Sequence, residues 1–176
     1  PGQQVVAEGE VEFRRGGLVI RADHLAYDHL RDTARATGGV SIAREGAVYS
    51  GQELEIAVQR FEGHFLAPSF DFTERGVGGR ADRIDFLGPG RSRATHASYT
   101  SCPRFDPAAG GAEPDWVLKT ERVTLDLDAN EGVADGAQLR FLGVPILALP
   151  SLSFPISDAR KSGWLPPSIN IDNRSG

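Results

Sequence analysis

Methionine is absent from the 176 residues, and cysteine occurs once, at Cys102. A single thiol excludes an intrachain disulfide framework and any thiolate zinc cluster. Cys102 is then either a buried free thiol or a residue whose partner lies outside the chain. Basic residues are the minority, 19 against 24 acidic, for a formal net charge of -5. That balance argues against nucleic acid as a partner, because phosphate binding needs a concentrated positive field. No apolar run approaches the roughly 20 residues of a transmembrane helix. Barrel strands need only about 9–11 alternating residues, so a membrane β-barrel is not excluded. The chain has no charged-then-apolar leader. Opening at Pro1 and lacking methionine, it reads as a segment of a longer, processed protein.

Catalytic and metal-binding patterns are also lacking. The four histidines, His24, His29, His64 and His96, never stand at i, i+4 around a glutamate as in a helical zinc hydrolase. Each is expected on a surface or in a turn. Asp126-Leu127-Asp128-Ala129-Asn130-Glu131-Gly132 resembles the start of a calcium loop. Its glycine falls one place late, and Ala137 stands where the bidentate glutamate belongs. The stretch is expected instead to be a strand, 123–128, closed by an Asn130-Glu131-Gly132 turn. Gly76-Val77-Gly78-Gly79 is too short to cradle a phosphate and reads as a loop or bulge. No Gly-x-Ser-x-Gly elbow is present. The carboxylates alternate with apolar residues and so occupy solvated faces. No enzyme, cofactor or metal is expected.

What is abundant is glycine, 21 residues, and proline, 11, both falling between short apolar runs. This is the texture of an all-β chain rich in turns. Three segments repeat: Arg21-Ala22-Asp23-His24-Leu25-Ala26-Tyr27, Ser50-Gly51-Gln52-Glu53-Leu54-Glu55-Ile56 and Arg80-Ala81-Asp82-Arg83-Ile84-Asp85-Phe86. Leu25 and Leu54 are 29 positions apart, and Leu54 and Ile84 are 30 apart. A second pattern, Glu8-Gly9-Glu10-Val11-Glu12-Phe13, matches Gly38-Gly39-Val40-Ser41-Ile42, with Gly9 and Gly39 separated by 30. Such a period marks stacked supersecondary units. Alternation of period two inside each unit makes the units strands. Arg15-Gly16-Gly17, Arg44-Glu45-Gly46 and Leu87-Gly88-Pro89-Gly90 supply the turns. Leu30 to Ala36 has one turn of helical character, but Thr37-Gly38-Gly39 stops it, so no helix is expected. The chain is expected to stack short antiparallel strands around a shared apolar interior. A closed sandwich and an open, V-shaped jellyroll both satisfy this pattern.

From Tyr99 onward the order of motifs becomes specific. Tyr99-Thr100-Ser101-Cys102 is followed by Trp116, then Leu142-Gly143-Val144-Pro145-Ile146, Leu149-Pro150-Ser151-Leu152 and Phe154-Pro155. Asp158-Ala159-Arg160-Lys161-Ser162-Gly163-Trp164-Leu165-Pro166 closes the series. This order resembles the LptD, or OstA, family of outer-membrane lipopolysaccharide assembly proteins. The earlier repeats are similar to the wider group of LptA, LptC and the LptD N-terminal domain. The resemblance implies an open antiparallel β-jellyroll (OstA-like) at the periplasmic face of the outer membrane. It also implies docking on LptA, and a large C-terminal barrel plugged by LptE. Residues 1–142 are then expected to form the jellyroll. Residues 143–176 are expected to be a proline-rich hinge, with Ser168 to Gly176 beginning the first barrel strand. By the same resemblance Cys102 matches a position that some family members bridge to a cysteine in the barrel, which an oxidising periplasm permits.

The implied cargo is lipid A, whose acyl chains each lose about 0.8 kcal/mol per CH₂ group when left in water. A period-two strand stack turns every second residue inward. The candidate groove lining is Val11, Phe13, Leu25, Tyr27, Val40, Ile42, Leu54, Ile56, Ile84 and Phe86. Docking on LptA is expected to use an open sheet edge, with the strand from about Val5 to Phe13 as the candidate. Self-association of the segment through open edges follows from the same exposure. A free LptA-like lipid carrier and a structural β-scaffold that never touches lipid are the alternatives.

Overall fold

A computed structural model describes residues 4–44, 47–72, 77–101 and 114–156. Twelve strands account for nearly all of them: β1 (Gln4–Arg15), β2 (Leu18–Asp28), β3 (Thr33–Arg44), β4 (Ala47–Ala57), β5 (Glu62–Leu66) and β6 (Ser69–Phe72). The series continues with β7 (Val77–Arg80), β8 (Arg83–Leu87), β9 (Arg91–Thr100), β10 (Trp116–Asp126), β11 (Glu131–Phe141) and β12 (Val144–Phe154). Every pairing is antiparallel, and no helix occurs among the described residues. The sheet runs β1-β2-β3-β4-β5-β8-β9-β10-β11-β12, with β6 and β7 as a second bridge between β4 and β9. It does not close. Among the described residues β1 pairs only with β2 and β12 only with β11, so both ends of this sheet are open edges.

The strands are long because most of them cross a crease. Pairing between β1 and β2 slips between Glu8 and Val11, that between β2 and β3 between Arg21 and His24, and that between β3 and β4 between Thr37 and Val40. β4 then divides, giving residues 47–50 to β6 and residues 53–57 to β5. β9 gathers the two branches, pairing residues 92–95 with β8 and 98–100 with β7. The ladders of β10, β11 and β12 lapse at Glu121, Gly136 and Pro150. Backbone with positive φ recurs along the line, at Gly9 (98°), Gly38 (76°), Ala67 (46°), His96 (47°) and Gly136 (61°). Bulges bend the strand that carries them and increase its twist. Repeated across successive strands, they fold one sheet into two leaves.

The contacts prove the fold-over. Arg15 pairs with Leu18 at the tip of the first hairpin, while Tyr27 pairs with Val5 near its other end. On a straight strand Leu18 and Tyr27 would stand about 30 Å apart at roughly 3.3 Å per residue. Instead the Arg15 guanidinium bonds the Tyr27 hydroxyl, and the Phe13 and Tyr27 rings lie 5.2 Å apart. Inward alternation also changes phase at the crease: Leu18, Ile20 and Ala22 are buried on one side of it, Leu25 and Tyr27 on the other. One strand thereby supplies both walls of the interior.

The structure corrects several local expectations. Val77, Gly78 and Gly79 belong to strand β7, paired with β6 and β9, and not to a loop; Gly76 lies outside the described residues. Gly79 suits this because a Cβ there would stand 1.9 Å from the Ser98 carbonyl oxygen. The expected strand at 123–128 is the end of β10, which stops at Asp126, and Glu131 already begins β11. The Asp126 carboxylate accepts from the Ala129 N–H and closes that turn. Val144–Phe154, assigned from sequence to the hinge, is the twelfth strand of the same sheet. Its prolines, Pro145 and Pro150, read as a linker but are tolerated on an edge strand. Cys102, the Arg160–Pro166 motif and Ser168 to Gly176 lie outside the described residues.

Candidate functional site

The candidate site is the interior between the leaves. All ten residues proposed from the alternation meet in one cluster. Eight are buried: Leu25, Tyr27, Val40, Ile42, Leu54, Ile56, Ile84 and Phe86, none more than 6% exposed. Val11 and Phe13 are partly buried against them. Burying an aliphatic or aromatic side chain of this size contributes roughly 1.5–3 kcal/mol, so the cluster is also the main source of stability. Phe65 on β5, Ala34 and Ala36 on β3, and Leu18 and Ile20 on β2 complete the walls. Alternation alone does not find Phe65, because β5 is only five residues long and its Glu62-Gly63-His64 start hides the pattern.

The filling is uneven. Near β2 to β8 the leaves pack tightly, with Ile20, Ile42, Leu54, Ile56 and Phe65 fully buried. Towards β12 apolar side chains stand in the open: Phe141, Leu142, Val144, Ile146 and Leu147 are 49–66% exposed. Ile146 lies at a slip in the β11–β12 register, and it and Leu147 both present apolar surface.

Opposite the crease, the strand ends form two lips. Arg15 and Arg44 stand on one lip, and Asp32, Gln59 and Phe61 on the other. Arg15 Nη1 donates to Asp32 Oδ1 at 2.8 Å, the Tyr27 hydroxyl donates to the same oxygen at 2.7 Å, and the Gln59 N–H donates to Asp32 Oδ2 at 2.6 Å. Burial pushes the Asp32 carboxyl up, but Tyr27, Gln59 and Arg15 outweigh it and hold the group below its ordinary value. The hydrogen bond from Tyr27 to this carboxylate in turn raises the Tyr27 hydroxyl. The Arg44 guanidinium lies 4.3 Å from the centre of the Phe61 ring. A partly exposed ion pair of the Arg15 kind contributes about 0–1 kcal/mol, and an exposed cation–π contact about 0.5–1 kcal/mol. The lips are thus closed by weak polar latches over a strong apolar core. None of these lip residues except Tyr27 was a candidate from sequence. They sit at strand ends, where period-two patterning carries no signal.

Among the described residues, no group of three His, Cys, Asp or Glu side chains gathers to hold a metal ion. His24 is largely exposed beside Glu8, and His96 pairs with Asp82 at 2.9 Å on the crease. Fold and site together define a class: a creased, open β-jellyroll whose two leaves enclose an apolar interior.

No family model matches the chain. Individual relatives do. Over all 176 residues it is 44% identical to the LPS-assembly protein LptD of Acidovorax sp. (strain JS42), covering 21% of that protein. It is 46% identical over its whole length to LptD of Albidiferax ferrireducens, covering 22% of it. Against LptD of Cupriavidus necator the identity is 44% over 172 residues, 98% of the chain and 20% of the relative. The chain spans about a fifth of the length of these curated relatives. The chain is thus homologous from end to end to one segment of these LptD proteins.

Proposed function

We propose that this chain is the periplasmic segment of a lipopolysaccharide assembly protein that receives lipid A acyl chains between its two leaves. The observation that carries the reading is the crease, which turns one sheet into two apolar-lined walls joined along one side. Its relatives are named for lipopolysaccharide assembly, which supplies the cargo class. Acyl chains gain about 0.8 kcal/mol per CH₂ on leaving water, far more over a whole chain than the weak latches cost to part. Lipid enters with its chains between the leaves and its sugars outside the lips. It moves towards β12, where the exposed apolar side chains continue the path. No bond is made or broken, so the segment is a conduit and not an enzyme.

On this reading β1 docks an LptA-type partner by strand addition, using the unpaired edge beyond Val5 and Val6. Residues after 156 lead to an outer-membrane barrel, with which LptE associates. Cys102 is the residue that would bridge to that barrel. Self-association of the isolated segment follows from the same open edges.

The tight packing of Ile20, Ile42, Leu54 and Ile56 favours a second reading, a scaffold whose interior is filled only by its own side chains. Binding of a fluorescent lipid A, displaced by unlabelled lipopolysaccharide, separates the two. The conduit predicts saturable, displaceable binding by the folded chain. An unsaturable or undisplaced signal leaves the scaffold.

A further inference from the structure

At the lips a cleft of about 190 Å³ opens between Arg15, Leu18 and Arg44 on one leaf and Val58, Gln59 and Phe61 on the other. Its composition is divided. Leu18 and Val58 are buried, 3% and 8% exposed, and continuous with the core cluster. Arg15 and Arg44 end alternate strands of the same lip and bring two guanidinium groups to the rim. An apolar floor beneath two cations is the complement of an amphiphile with an anionic head.

We propose that Arg15 and Arg44 form a clamp for the phosphate groups of an acylated sugar whose chains lie between the leaves. This rests on the lipid-receiving reading above and assigns the headgroup end of that site. Guanidinium is suited to the task, because its planar fork meets phosphate oxygens in pairs. The hold of Arg15 on Asp32 is exchangeable. Arg15 holds Asp32 through Nη1, one of its three nitrogens, and a guanidinium carries five N–H donors. When Arg15 turns to a phosphate, Asp32 keeps the Tyr27 hydroxyl and the Gln59 N–H, so no buried carboxylate is stranded. Among the described residues, the Asp32 carboxylate stands beside the site and opposes a phosphate, so binding requires that turn. Arg44 also rests on the Phe61 ring, and that contact keeps its guanidinium at the rim. Parting the Arg15 and Arg44 contacts also unlatches the lips, so head recognition and chain entry are one event.

The test compares three acyl-matched ligands on the folded chain: bisphosphorylated, monophosphorylated and dephosphorylated lipid A. Inorganic phosphate is a fourth probe. The clamp predicts that affinity falls stepwise with phosphate removal, by about tenfold overall. It predicts that the double variant Arg15→Gln, Arg44→Gln binds all three ligands as weakly as the wild type binds the dephosphorylated one. Arg14→Gln and Arg60→Gln, which remove more exposed charges that do not line the cleft, should retain the preference. Arg15→Lys, Arg44→Lys keeps the charge and should keep part of it. Equal affinity for all three ligands in the wild type overturns the clamp. So does an equal loss in the Arg14 and Arg60 controls, which would indicate charge without a site. Inorganic phosphate binding as tightly as lipid A would make the cleft a free-anion site and overturn the amphiphile assignment. Failure of every acylated ligand to bind would instead reject the underlying lipid reading.

Discussion

At the scale of single residues, the crease depends on backbone that only glycine adopts freely. Gly38 has φ of 76°, and a Cβ there would stand 2.6 Å from the Asp23 carboxylate. Gly38→Ala should therefore destabilise the chain by about 1–2 kcal/mol or more. A lower denaturant midpoint with unchanged slope is the expected result; an unchanged midpoint contradicts the role assigned to Gly38. Asp32 offers a second residue-level test. Its carboxyl is held below the ordinary value when folded, so its contribution is present above the unfolded value, near pH 4. That contribution is lost as pH falls through the lower, folded value. The stability difference between wild type and Asp32→Asn should accordingly be constant near neutrality and shrink below about pH 4. A difference that persists unchanged in acid would mean that the Asp32 charge does not close the lips. The alternation of Leu54, Ile56, Ile84 and Phe86 made these core residues legible in the sequence. The lip residues Arg15, Arg44, Asp32 and Phe61 were not, since nothing local marks which distant strand ends will meet.

At the scale of elements, the two edges behave differently. On β1, Val5 and Val6 are 53% and 62% exposed, and successive N–H groups on an edge strand point alternately to the neighbour and outward. Of Val5→Pro and Val6→Pro, one should lower stability by breaking the β1–β2 ladder. The other should leave stability unchanged and weaken docking to an LptA-type partner. Val11→Pro, beside the bulge and packed on the core, should weaken docking too, at some cost in stability. Docking that tolerates all three prolines removes β1 as the edge. On β12, Ile146→Asp and Leu147→Asp replace exposed side chains and should shift stability by no more than about 0.5 kcal/mol. In the full-length protein both should reduce lipopolysaccharide delivery to the cell surface. Normal delivery would mean that the apolar path does not run along β12. This strand also marks a limit of reading by composition. Pro145 and Pro150 argue against a central strand, but an edge has no second neighbour to require their missing N–H groups.

At the scale of the whole molecule, the period near 30 residues has a physical origin. Each repeat is a hairpin that crosses the crease twice, so Gly9 and Gly39 both sit at bulges on alternate strands. The sequence carries this as a spacing and not as a property of any one residue. Alternation alone left a closed sandwich and an open jellyroll both possible, because both bury every second side chain, and the family resemblance pointed to the open form. The slips in register, which alternation does not encode, are what fold the sheet that way. The folded sheet gives the molecule a strong apolar interior, weak latches at the lips and two free edges, an arrangement suited to passing a lipid through. The most direct measurement is photocrosslinking in the full-length protein, with lipopolysaccharide delivered by a loaded LptA partner. A photoreactive phenylalanine of near-native size at Phe86 reports the interior, and the same probe at Glu55 reports the outer face between Leu54 and Ile56. The account predicts lipopolysaccharide adducts at Phe86 and none at Glu55. Equal labelling at both, or no labelling at Phe86 while the partner stays bound, would contradict passage between the leaves.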